Sequence, residues 1–200
     1  MRPIETTERV VAATALGAAL AAHHEESAQH SLRVAAYAAR LARELRLDAT
    51  RANDLYFGAL MHDVGKIAVA QSVLNKPFGE RLTEDEWAQL REHPAAGADM
   101  LRGLDISPRT LRVILEHHER WDGKGYPRGL AGSEISLEAR ICAVADAYDA
   151  ITADRCYRRG EPDAVARHEI VSAGGTQFDP YVVDALARVT AEDLQTALTA

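Results

Sequence analysis

The run Leu60-Met61-His62-Asp63-Val64-Gly65-Lys66 constrains the fold more than any other stretch of the chain. Neighbouring residues on a helix point about 100° apart. His62 and Asp63 therefore reach one ion together only at a helix end or a kink. Gly65 is expected to supply that end, because glycine tolerates the backbone angles that terminate a helix. Lys66 then places a cation beside whatever the ion holds. Imidazole with carboxylate suits zinc, iron, manganese or nickel. Two ligands make no site, so the others must come from elsewhere in the chain.

Two hundred residues suffice for one domain with a sizeable core. Alanine is abundant and alternating β-branched stretches are scarce, which favours helix throughout. A net charge of −7 argues against a face that neutralises DNA or RNA phosphates. It leaves room for a small anionic substrate, since bound metal ions reverse the sign locally. Cys142 sits in an apolar run and Cys156 in a basic loop. Neither belongs to a CxxC pair, so both are expected as reduced thiols. Val10 to Ala22 is apolar, but its thirteen residues are too few to span a bilayer. Glu5 and Glu8 stand where a signal peptide carries positive charge. A buried or amphipathic first helix, no membrane span and a cytoplasmic location are expected.

Capping residues divide the chain into helices. Thr6 or Thr7 is expected to cap a first helix to about Ala22, whose small side chains suit close packing, including against a second subunit. A second helix is predicted from Ser27 to Leu45, with Val34, Tyr37, Leu41 and Leu45 on one face. A third, capped by Asp48 or Thr50, ends at His62-Asp63. Ile67 to Phe78 reads as irregular. Thr83 and Glu86 form a capping box, and His93-Pro94 is expected to interrupt the helix it starts, with another from Ala95 to Leu101. Ser107-Pro108 begins a helix ending at His117-His118. A glycine-rich loop, Asp122 to Gly129, follows. Ser136 caps a helix over Leu137 to Thr152. Pro162, Asp179-Pro180 and Thr190 start the last three. The expected division is a first helix over 1–22, a main domain over 23–190 and a terminal helix over 191–200.

Histidines and acids recur at these helix ends: His30, His62, Asp63, His93, His117 and His118. Asp146 lies inside an apolar stretch, Ile141 to Ala145. A buried carboxylate without a partner is costly, so Asp146 pairs with a cation, either a metal or an arginine. Glu26 precedes His30 by four residues and can share its face, or can simply favour the helix dipole.

Taken in order, His30, His62-Asp63 and Asp146 resemble the H…HD…D signature of the HD superfamily of metal-dependent phosphohydrolases. His117-His118-Glu119-Arg120-Trp121-Asp122-Gly123-Lys124-Gly125-Tyr126-Pro127 resembles the HHExxDGxGYP motif of the HD-GYP family. His62 to Lys66 matches its HDxGK, and Leu74 to Pro77, Glu92 to Pro94, Ala145 to Ala150 and Gly175 to Pro180 match as well. The resemblance covers about Thr14 to Leu186. It implies an all-α bundle of the HD superfamily, with a metal centre among helix ends and a GYP loop. It implies hydrolysis of cyclic di-GMP to pGpG, and in many members onward to GMP, by attack of a metal-bound hydroxide. Another cyclic dinucleotide as substrate, or a non-catalytic module that binds the nucleotide or docks a partner, remains open.

Carried over by motif, the metal ligands are His30, His62, Asp63, His93, His117, His118 and Asp146, with Asp63 bridging two ions. Glutamate at position 26 implies three divalent ions rather than two, iron first and manganese or others next. The catalytic pair is Asp63 and Lys66. Lys66, Arg155, Arg158 and Tyr126 are the expected substrate contacts, with Tyr126 either lining a guanine pocket or buttressing its loop. Asp149 is expected behind the ligands, and the alternative role for Lys66 is a structural ion pair with Asp149. Expected partners are cyclic di-GMP and either a second copy or a separate regulatory protein.

Overall fold

Most helix boundaries fall where the capping residues put them. The computed structural model describes residues 4–76, 80–154 and 159–199. Among these are eleven α-helices and two short 3-10 turns, with no β-strand. α1 (Ile4–His23) and α2 (Glu25–Glu44) meet at His24, whose Nδ1 accepts from the Ser27 amide and caps α2. Thr6 and Thr7 lie inside α1, and α2 starts two residues before the expected Ser27. Histidine is outside the usual set of capping residues, so the sequence displaced this boundary.

α3 (Ala49–Met61) is capped by Asp48. A 3-10 turn over Val64–Ala68 and α4 (Gln71–Leu74) occupy much of the stretch expected to be irregular. α5 (Glu84–Arg91) carries the expected capping box, and α6 (His93–Leu101) follows after Glu92 alone. The break therefore falls one residue before His93. Pro94 sits in the first turn of α6, where the amide hydrogen it lacks has no intrahelical acceptor. α7 (Pro108–Glu116) and α8 (Leu137–Thr152) start at Ser107 and Ser136 as expected. α9 (Asp163–Ser172), α10 (Pro180–Arg188) and α11 (Ala191–Ala197) complete the order.

α2 is the hub, packed against α1, α3, α8, α10 and α11. Ala35, Ala38 and Ala42 are fully buried along it, beside Val34 and Leu41. Cys142 is buried in the same core, as its apolar run implied. Met61, Val64, Leu101, Ile106 and Ile114 form a second cluster. α1 leans on the turn after α3: His23 Nε2 donates to the Val69 carbonyl at 2.9 Å, and Gln71 Nε2 donates to the His23 carbonyl at 2.9 Å. No helix among the described residues is long and apolar enough to cross a membrane.

Two glycines set the approach of the elements that carry His62, His93 and His117. A Cβ on Gly58 would lie 2.6 Å from the Cβ of Val113, so α3 and α7 touch there nearly backbone to side chain. Gly58 precedes His62 by four residues and Val113 precedes His117 by four, so this one contact sets both histidines side by side. Gly65 was expected to end α3 and does not. α3 stops at Met61, and Gly65 lies within the 3-10 turn. Its hydrogen is needed for space: a Cβ there would sit 1.9 Å from the His93 carbonyl oxygen and 2.6 Å from the Gly97 nitrogen.

Candidate metal centre

Three histidines use one device. His62 and His117 are the residues after α3 and α7, and His93 follows the end of α5. Each directs Nδ1 at the carbonyl three residues back: His62 to Ala59 at 2.7 Å, His93 to Leu90 at 2.6 Å, His117 to Ile114 at 2.8 Å. The last carbonyls of a helix lack intrahelical donors, so the imidazoles satisfy them. A carbonyl only accepts, which puts the proton on Nδ1 and leaves Nε2 as a lone pair when the ring is neutral. Burial lowers the His93 pKa to about 4, and burial with His118 close by holds His117 well below its usual value. Both rings are neutral near pH 7.

Those lone pairs converge. The Nε2 atoms of His93 and His117 face each other at 3.2 Å with no proton between them. His62 Nε2 and Asp63 Oδ1 are buried without a hydrogen-bond partner. Asp63 spans the group, with Oδ2 3.6 Å from His62 Nε2 and Oδ1 3.4 Å from His93 Nε2. Its burial opposes ionisation, but Lys66 and the surrounding imidazoles hold it well below the usual carboxylate range. Buried donor atoms facing one another without a shared proton are unfavourable unless a cation lies among them. Ligand atoms gather in two sets, His30 with His62 and Asp63, and His93 with His117 and His118. Imidazole and carboxylate donors in this arrangement fit divalent metal ions.

His30 is held differently, from mid-helix on α2. Its Nδ1 donates to Asp149 Oδ2 at 2.6 Å, and its Nε2 lies 2.9 Å from Asp146 Oδ1. Burial would lower its pKa, but the two carboxylates prevail and raise it to about 9. Asp149 also accepts from Arg33 Nε and Nη2 at 2.7 and 2.9 Å. The alternative pairing of Lys66 with Asp149 is not formed among the described residues. Lys66 bonds Asp63 Oδ2 at 2.6 Å, closer along the chain and inside the centre. Asp149 stands behind His30. For Asp146 the open choice narrows to the imidazole side, not an arginine. Arg33 escaped sequence reasoning, though its place three residues after His30 on the same face was a usable signal.

The GYP loop folds back under His118. The buried Glu119 carboxylate accepts from the Arg128 and Leu130 amides at 2.7 and 3.0 Å, and the Tyr126 amide donates to the His118 carbonyl at 3.2 Å. A Cβ on Gly125 would lie 2.4 Å from the Arg120 nitrogen, so only glycine permits this return. Tyr126 stacks on the His118 ring, centroids 4.8 Å apart and planes at 27°. Burial raises its phenol pKa well above the usual value, keeping it neutral. Tyr126 both braces His118 and lines a cavity of about 610 Å³ that opens beside His117, His118 and Asp146. Glu26 lies in the first turn of α2, one turn before His30, half-buried and in neither ligand set. Arg155, Cys156 and Arg158 lie outside the described residues.

Comparison with known proteins follows this geometry. A family model described as HD domain matches residues 15–182. The chain is 43% identical over 165 residues to a cyclic di-GMP phosphodiesterase of Pseudomonas aeruginosa, covering 82% of this chain and 39% of that protein. It is 37% identical over 176 residues to a 3'3'-cGAMP-specific phosphodiesterase of Vibrio cholerae, covering 86% of this chain and 33% of that protein. The chain thus spans between a third and two fifths of these relatives' length. A solved cyclic GMP-AMP-specific phosphodiesterase of V. cholerae superposes with a TM-score of 0.72 at 22% identity, over 96% of this chain and 51% of that one. That likeness shows the all-helical fold.

Proposed function

The chain belongs to the metal-dependent HD domain family, and from that premise we propose that it hydrolyses a cyclic dinucleotide, cyclic di-GMP first, to the linear dinucleotide pGpG. The carrying observation is the set of buried lone pairs at His62, His93 and His117 that face one another around Asp63. Relatives named as cyclic di-GMP and 3'3'-cGAMP phosphodiesterases support the substrate class. His30, His62, Asp63, His93, His117, His118 and Asp146 would hold the ions. Glu26 is proposed as a further ligand bringing the count to three, and iron, with manganese next, is the proposed metal. When bound, such ions acidify water and neutralise phosphate charge. Asp63 would sit between the two ligand sets, and Lys66, beside it, would turn its ammonium toward the substrate phosphate. Asp149 keeps the His30 ring oriented through Nδ1. Tyr126, Arg155 and Arg158 are proposed substrate contacts.

The test is metal content and turnover on protein purified without oxygen. About three ions per chain, falling to about two in Glu26→Ala, with cyclic di-GMP consumed, is the expected result. Two ions in both proteins would make Glu26 a surface residue. Loaded protein that binds cyclic di-GMP and leaves it intact would replace the hydrolase with a binding module.

A further inference from the structure

The cavity beside the metal centre has a polar edge that the metal chemistry does not use. Its lining includes the apolar side chains of Ala143, Ala147, Ala150 and Phe178, against which a flat base can lie. Glu169 of α9 lines the same cavity, is exposed to it, and makes no ion pair or side-chain hydrogen bond among the described residues. Left bare, a carboxylate there repels a dianionic ligand.

Gln177 lines the cavity too, and its orientation is determined. Its Oε1 accepts from Arg120 Nη1 at 3.3 Å, and Arg120 is itself held by Asp122. A guanidinium only donates, so the amide oxygen faces Arg120 and the NH₂ group remains free to donate. Both residues hang from Ala173, which also lines the cavity: the Ala173 amide bonds the Glu169 carbonyl at 3.1 Å, and the Gln177 amide bonds the Ala173 carbonyl at 3.0 Å.

A carboxylate acceptor and an amide donor lining one cavity match the groups of one purine edge. Guanine presents N1–H and N2–H donors next to the O6 acceptor. Adenine presents a bare N1 lone pair, which a carboxylate repels. We propose that Glu169 and Gln177 read the Watson–Crick edge of a guanine seated in this cavity and so set base preference, a proposal that rests on the cyclic-dinucleotide function above. Glu169 accepts from N1–H and N2–H, and Gln177 donates to O6. The carboxylate's repulsion of the phosphates is then offset by two charge-assisted hydrogen bonds, and a ligand without guanine meets the repulsion alone.

The experiment compares kcat/KM for cyclic di-GMP, 3'3'-cGAMP and cyclic di-AMP on the metal-loaded chain and on Glu169→Gln. The wild type should favour the two guanine-containing substrates. In Glu169→Gln the preference for cyclic di-GMP over cyclic di-AMP should fall about 10- to 100-fold, with the melting temperature unchanged because the residue is exposed. A preference that stays within about threefold, or a wild type that treats all three alike, overturns the guanine readout and leaves the hydrolase standing. Loaded wild type that cleaves none of them sinks the hydrolase. The readout is then judged by equilibrium binding: weaker cyclic di-GMP binding in Glu169→Gln supports it, and equal binding overturns it.

Discussion

Replacing Gly65 with alanine adds one methyl group where the turn after α3 meets α6. That carbon would stand 1.9 Å from the His93 carbonyl oxygen, about 1.5 Å inside the 3.4 Å at which ordinary contact begins. The Gly97 nitrogen at 2.6 Å and the His93 carbonyl carbon at 2.8 Å are also too close. All three are backbone atoms, so no rotamer change relieves them and α6 must move as a body. His93 is its first residue, and its Nε2 faces His117 Nε2 at 3.2 Å. Metal–ligand distances tolerate about 0.2 Å, far less than the required shift. Overpacking of this kind costs about 1–3 kcal/mol, and the upper end applies because only backbone can yield. At about 2–4 °C per kcal/mol for a chain this long, the melting temperature should fall by roughly 6–12 °C. Metal content should drop by the ion that His93 helps to hold. Thermal denaturation and elemental analysis of the same preparation give both numbers. A Gly65→Ala protein with unchanged melting temperature and full metal content would refute the close-approach account.

Asp149→Asn takes the charge from behind His30 and should weaken metal binding about 10- to 100-fold, measured by competition with a chelating dye. Glu119→Gln leaves one of the Arg128 and Leu130 amides without an acceptor, which should cost about 1–3 kcal/mol and appear as a lower melting temperature with slower turnover. Chelation should lower the melting temperature, since ligand at a hundredfold excess over its Kd stabilises by about 2.7 kcal/mol; no shift would mean that the facing imidazoles need no cation. The Arg120 hydrogen bond lowers the Asp122 pKa from 3.8 to about 2. Its contribution is full above the unfolded value and lost as pH falls through about 2, so the stability gap between wild type and Asp122→Asn should be present at pH 6 and close near pH 2.

Helices were legible where serine, threonine or aspartate caps them, as at Asp48, Thr83, Ser107 and Ser136. They were misplaced where an unusual residue does the work, as at His24. The residues that gather at the candidate centre were legible because motif order carries chemistry that spacing alone does not. Pairings across the fold were not. Nothing local ties Asp149 to Arg33 and His30, 116 and 119 residues away. Gly65 was misread for the same reason. A glycine needed for φ and a glycine needed for room look alike in sequence, and only the partner backbone of α6 tells them apart.

The three helix-end histidines join the fold's need to the site's. Each helix terminus leaves carbonyls that require donors. An imidazole placed just past the end supplies one from Nδ1 and thereby commits its proton. The opposite nitrogen is then a fixed lone pair, buried and aimed by the helix axis. α3, α5 and α7 end toward one point, so three such lone pairs meet there with the Asp63 carboxylate. The cap that stabilises each helix and the orientation that suits a metal are one hydrogen bond. It follows that moving a histidine one residue along its helix should lose both: the carbonyl would be left without its donor, and Nε2 would swing about 100° away from the shared point.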